Sequence, residues 1–204
     1  EESRIKTINL AIFISGTGSN MVALINSIRT SIHSYNPVIV ISNRADASGN
    51  RKAKDLNVPL LVVDEANQNS SGLDFENQVR EVLRRYEIKL ICLAGFMRIL
   101  SADFINQFDG TIINIHPSIL PSLKGTKTHT KAIRKKIAFH GATVHIVTPK
   151  LDSGKILGQI SMPVFPNDTD NSLANRLKPY EHKLYCTVIK RMSLSQRLPI
   201  QLRA

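Results

Sequence analysis

The stretch INLAIFISGTGSNMVALINSIR, Ile8 to Arg29, passes from an apolar, β-branched run through two glycines into a helical pattern. INLAIFIS is apolar almost without alternation, as strands buried on both faces of a parallel sheet are. Beyond the glycines, Met21, Leu24, Ile25 and Ile28 recur at helical intervals and mark one apolar face. A strand that turns through glycine into a helix is also how many phosphate-binding loops begin.

The same alternation continues outward. PVIVIS, VPLLVVD and IKLICLAG read as further buried strands, and LDFENQVREVLRRY spaces Phe75, Val79, Val82 and Leu83 as a helix. Strand and helix in alternation predict an α/β fold with an open, mostly parallel twisted sheet flanked by helices. A short helical segment around SADFINQF precedes a fifth strand, GTIINIH, which runs into the proline-broken loop PSILPSLKGT. GATVHIVTP and GKILGQISMPVF then read as two strands paired like a hairpin across the turn KLDSG. The last helix spans about Ser172 to Met192, with Leu173, Leu177, Leu184, Val188 and Met192 on one face. Pro179 is expected to kink or restart it, because proline lacks the N–H that a helix interior requires. The tail SQRLPIQLRA carries no clear pattern.

With 204 residues, the chain fits one domain, residues 1–204. Hydrophobic residues make up 42% and charged residues 21%, an ordinary globular composition. No apolar run approaches the roughly 20 residues of a membrane-spanning helix. The start, EESRIKTINL, lacks the basic-then-apolar order of a signal peptide, so the expectation is a cytoplasmic protein with no membrane partner. Cys92 and Cys186 sit in no metal or redox spacing and read as buried thiols. The net charge of +11 suits an anionic ligand. The basic residues are scattered apart from KAIRKK at Lys131 to Lys136, without interleaved aromatic residues for base stacking, and a nucleic-acid partner is not expected.

SGTGSN matches neither common nucleotide signature. It lacks the lysine of a triphosphate loop, and Met21 stands where a dinucleotide fingerprint needs its third glycine. Backbone N–H groups at a helix N-terminus, with Ser19 and Asn20, suit a single phosphate. A plain strand-to-helix turn capped by Ser19 explains the same residues, and the segment alone leaves both readings open.

At the carboxyl end of the fifth strand, NIHP places Asn114 and His116 two residues apart, hence on one face of an extended chain. An amide and an imidazole side by side could hold a carbonyl oxygen while moving a proton. Asp152 in KLDSG could pair with the imidazole, although Asp before Ser-Gly is also ordinary turn chemistry. The six histidines show no close metal-binding spacing, and no catalytic metal is expected.

ISGTGSN, LAGFMRILS, INIHPSILPSLKGTKTH, HGATVHIVTPKLDSGKIL and YEHKLY occur in an order and spacing that resembles the phosphoribosylglycinamide formyltransferase family, over roughly Ile8 to Met192. The resemblance implies a formyltransferase fold with a Rossmann-like N-terminal half. It implies transfer of a formyl group from 10-formyltetrahydrofolate to the amine of glycinamide ribonucleotide in purine synthesis, without a metal. Asn114, His116 and Asp152 match the family's catalytic trio. Gly18, Ser19 and Asn20 match its phosphate loop, and Lys178 and Glu181 its contacts to the ribose or amine region. Met97, Arg98, Ile99 and Leu100 match the segment lining the folate pocket, to which Asn114 also belongs. On this reading residues of about 7–110 hold the ribonucleotide phosphate, and those of about 111–192 carry the catalytic groups and the folate cleft.

The partners implied are these two small molecules, with the protein a monomer or homodimer. Lys127 replaces a histidine found in many members, QNSSGLDFE lacks an arginine some members place before the helix, and Pro179 sits beside the ribose contacts. The absence of an initial methionine is compatible with a short leader ahead of Glu1. The alternatives are a 10-formyltetrahydrofolate deformylase and a non-catalytic folate- or nucleotide-binding module. The deformylase family carries an additional N-terminal domain for which the chain has no room. A methionyl-tRNA formyltransferase would need a further C-terminal domain of about a hundred residues.

Overall fold

The computed structural model describes residues 7–31, 34–64 and 72–204. Two compact units divide between Ile113 and Asn114.

In the first unit, the opening strand β1 (Ile8–Ile14) leads into α1 (Ser19–Thr30), followed by β2 (Tyr35–Ser42), α2 (Gly49–Asp55) and β3 (Leu60–Val62). Then come α3 (Gly72–Arg85), β4 (Leu90–Leu93) and α4 (Ala102–Gln107). β1 pairs in parallel with both β2 and β4, and β2 with β3. The strand order therefore reverses between β1 and β4, and in open α/β sheets ligands bind outside the carboxyl ends at such a reversal. The apolar positions of the sequence pattern form the core: Leu10 to Ile14, Met21, Leu24, Ile25 and Ile28 are all buried. Phe75, Val79 and Leu83 bury the inner face of α3.

The strand β5 (Thr111–His116) crosses the boundary between the units. The second unit continues with α5 (Thr128–Arg134), β6 (Phe139–Ile146), β7 (Ile156–Pro163), α6 (Asp170–Ser193) and β8 (Ile200–Arg203). β6 and β7 are antiparallel, and β7 and β8 parallel. The eight strands follow the order β3-β2-β1-β4-β5-β6-β7-β8, the open and mostly parallel sheet expected from the sequence.

α2, α5 and the terminal strand β8 are additions to the expected elements, and α6 continues as one helix through Pro179 instead of restarting there. Leu173, Leu177, Leu184, Tyr185, Val188 and Ile189 are buried along α6, and packing of that length outweighs the one backbone hydrogen bond that proline removes. A capping box at Thr169 and Ser172 starts the helix. The segment before α3 that lacks the family's arginine falls largely outside the described residues.

The turn joining β6 to β7 is tight enough to require glycine. A Cβ on Gly154 would lie 1.8 Å from the Ile146 carbonyl oxygen, a backbone atom with little freedom to move. Gly154→Ala should therefore destabilise the protein by about 1–3 kcal/mol or more, as overpacking does. The shift in urea midpoint measures it, and an unchanged midpoint would show that the turn yields freely.

Candidate active site

The loop between β1 and α1 is built by close backbone approach. Gly18 is the N-cap, in the left-handed conformation at φ 69° and ψ 22°, and no side chain caps the helix. Ser19 is thus the first helical residue and not the cap, because a glycine that turns the chain in the left-handed region takes that position. A Cβ on Gly18 would lie 2.9 Å from the Met21 methyl carbon and 3.0 Å from the Gly49 Cα. Gly49 N–H donates to the Gly16 carbonyl at 3.0 Å, and Lys52 Nζ donates to the Thr17 carbonyl at 2.8 Å, so α2 clamps the loop. The first-turn N–H groups have no acceptor within the helix. Beside them Asn20 Oδ1 is buried without a hydrogen-bond partner among the described residues, and no acidic residue occupies the first turn.

Across the strand reversal, the end of β1 is tied to the loop after β4. Ser15 Oγ donates to Asn43 Oδ1 at 2.6 Å and accepts the Met97 N–H at 2.8 Å. The four residues matched to the folate segment face different ways. Met97 and Ile99 are 77% and 74% exposed, whereas Leu100 is buried in the core. Arg98 turns inward, its guanidinium carbon 4.8 Å above the Phe75 ring.

In the second unit, Asn114, His116 and Asp152 come together with a fourth residue, His145. Asp152 lies in the turn after β6, buried and left-handed at φ 47°. Its Oδ2 accepts the Gly125 N–H at 2.8 Å. Its Oδ1 lies 3.7 Å from His116 Nδ1 and 3.9 Å from His145 Nε2, between two imidazoles. His116 Nε2 contacts the Leu123 carbonyl at 3.0 Å and must donate there, so each ring nitrogen of His116 faces an acceptor.

His145 fixes the amide of Asn114. Its Nδ1 contacts the Ile146 carbonyl at 3.0 Å, which assigns a hydrogen to that nitrogen. Nε2 is then the acceptor for Asn114 Nδ2 at 3.3 Å. Burial holds the His145 imidazole below its ordinary value, the nearby His116 adds to this, and the Ile146 carbonyl and Asp152 oppose it. One N–H of Asn114 is committed to His145, and the other has no hydrogen-bond partner among the described residues.

His145 is the residue that the sequence pattern did not single out. Its signal is positional: it stands near the end of β6, seven residues before Asp152. The loop after β5 is pinned to the next strands, since Thr143 Oγ1 donates to the Ser118 carbonyl at 2.7 Å and Gln159 Nε2 to the Leu120 carbonyl at 2.7 Å. Lys127 is exposed at the left-handed N-cap of α5.

Lys178 and Glu181 lie one turn apart on α6, the lysine exposed and the glutamate partly buried. Burial raises the Glu181 carboxyl from 4.5 to about 7, with Lys178 pulling the other way. Among the described residues no group of three or more His, Cys, Asp or Glu side chains is placed to hold a metal ion. Nor, among them, is any helix long and apolar enough to cross a membrane.

A family model described as formyl transferase matches residues 8–189. The chain is 36% identical over 181 residues to the phosphoribosylglycinamide formyltransferase of Haemophilus influenzae, covering 89% of this chain and 85% of that protein. It is 42% identical over 178 residues to the trifunctional purine biosynthetic protein adenosine-3 of Gallus gallus, covering 87% of this chain but spanning only 18% of that protein's length. Among solved structures, the phosphoribosylglycinamide formyltransferase from Brucella melitensis superposes with a TM-score of 0.86 at 37% identity, covering 95% of this chain and 99% of that one.

The raised Glu181 carboxyl gives a pH-dependent test. A carboxyl with a folded pKa above its unfolded value contributes stability that is complete below 4.5 and is lost as the pH rises through about 7. Glu181→Gln stays neutral throughout. Thermal melts at a series of pH values should show the variant gaining on the wild type across that window, and two parallel curves would contradict the burial effect.

Proposed function

The chain belongs to the formyl transferase family, and from that membership we propose that it transfers the formyl group of 10-formyltetrahydrofolate to the amine of 5-phosphoribosylglycinamide. The products are formylglycinamide ribonucleotide and tetrahydrofolate. The observation that carries the reading is the Asp152 carboxylate 3.7 Å from His116, beside an Asn114 amide with one N–H uncommitted. That combination supplies both oxyanion donors and a proton acceptor, which a pure binding module has no need of.

In the proposed reaction, the amine nitrogen attacks the formyl carbon and the carbonyl oxygen becomes an oxyanion. The free N–H of Asn114 and an imidazolium at His116 donate to it, with His116 Nε2–H exchanging the Leu123 carbonyl for the developing charge. Asp152 then relays a proton, through a water held at Oδ1, from the attacking nitrogen to the folate nitrogen as the old C–N bond breaks. His145, kept neutral by burial, holds the amide of Asn114 in the donating orientation. The loop Gly18–Asn20 takes the 5-phosphate on its first-turn N–H groups, and reversal of the Asn20 amide would turn a donor toward it. Lys178 and Glu181 meet the ribose or amine region, and the segment Met97–Leu100 lies along the folate pterin.

The test follows tetrahydrofolate formation from 10-formyltetrahydrofolate with and without the ribonucleotide. Product should require the ribonucleotide, and turnover that ignores it would replace the transferase with a hydrolase. His116→Asn should lower turnover on the order of a hundredfold or more while the melting temperature stays near the wild-type value. Undiminished activity would remove His116 from the mechanism.

A further inference from the structure

The loop that presents Met97 and Ile99 is fixed by a buried acid one helix away. Glu76 on α3 is 3% exposed. Its Oε1 accepts the Ser101 N–H at 2.7 Å and its Oε2 accepts the Ser101 hydroxyl at 2.6 Å. The Ser101 hydroxyl in turn accepts the Phe104 N–H at 3.0 Å and so caps α4. Arg98 Nη2 lies 3.9 Å from the same carboxylate, with the guanidinium over Phe75. At the other end, the Met97 N–H is held by Ser15. The backbone between is thus anchored at both ends, while Met97 and Ile99 project into solvent.

We propose that Glu76 is a positioning residue for the folate site, holding the Met97–Leu100 segment in its binding geometry through Ser101 and Arg98. The proposal rests on the reading that this segment takes the folate pterin. A flat ring meets exposed apolar side chains best on a backbone already fixed, because no ordering cost then falls on binding. Only a carboxylate serves. A glutamine could accept from the Ser101 N–H, but its NH2 cannot accept from the hydroxyl, whose hydrogen would be left buried without a partner.

Glu76→Gln should raise KM for 10-formyltetrahydrofolate about tenfold or more, equivalent to about 1.4 kcal/mol. KM for the ribonucleotide should stay within twofold, roughly, since that is well inside the effect of one ordinary contact. Glu76→Asp, which keeps both acceptor oxygens, should recover part of the loss. An equal loss toward both substrates, tracking the melting temperature and without recovery in the aspartate variant, would reduce Glu76 to a structural residue and overturn the proposal. Ile99→Asp, on the exposed face of the segment, separates the two ideas. Weakened folate binding in Ile99→Asp with none in Glu76→Gln overturns the positioning role alone. Unchanged folate binding in Ile99→Asp overturns the folate reading and the proposal with it.

Discussion

A carboxylate taken out of water must be met by donors, and in the second unit that requirement shapes the end of β5. Asp152 is buried, and its Oδ2 is met by the backbone of Gly125 rather than by a side chain. The turn that carries Asp152 and the loop that carries Gly125 therefore position each other. Lys124 adds a second tie to that turn, from Nζ to Ser153 Oγ at 2.6 Å. Leu123, Gly125, Lys127 and Asp152 all have left-handed backbones. For the three that are not glycine, such conformations cost of order 1–3 kcal/mol each and persist only when the surroundings determine them. At Leu123 and Asp152 the surroundings include the His116 contact to the Leu123 carbonyl and the Gly125 N–H on the Asp152 carboxylate, while Lys127 is the N-cap of α5.

The first unit meets a different constraint, close approach of main chain to main chain. Gly18 and Gly49 let the β1–α1 loop lie directly against the start of α2, with no room for a Cβ at either. The first turn of α1 carries no side-chain cap, and Asn20 within it has a buried side-chain oxygen without a hydrogen-bond partner among the described residues. In the proposed reading the first-turn N–H dipoles take a single phosphate, with the Lys52 ammonium nearby at the Thr17 carbonyl.

The sheet was legible in the sequence because apolar runs and helical spacing are imposed by burial, and Met21, Leu24, Ile25 and Ile28 are all buried as their spacing requires. β8 escaped because only Ile200 of its four residues is buried, and its pairing with β7 depends on α6 returning the chain to that edge. α2, GNRKAKD, has no apolar stripe, and its place is fixed by glycine contact instead. Of the site, Asn114, His116 and Asp152 could be picked out as a strand-end pair and a turn acid, with their roles carried by resemblance. His145 could not, since its role comes from lying within reach of Asn114 across 31 positions of sequence. Nor could the inward turn of Arg98, which answers a buried glutamate that the helical pattern of α3 reads as a polar face position.

Glu76 and Asp152 are both buried acids that accept a backbone N–H, and what separates them is the state of the second oxygen. In Glu76 each oxygen accepts a short hydrogen bond from the same serine, so both are engaged. In Asp152 one oxygen is bound by Gly125, while Oδ1 stands 3.7 and 3.9 Å from two imidazole nitrogens, too far for a hydrogen bond. An oxygen in that position can accept a hydrogen bond without first giving up a partner, which is what the proposed proton relay asks of it. The same side-chain chemistry thus engages both acceptor oxygens in one unit and leaves one of them open in the other, according to how many of its acceptor positions the fold has already filled.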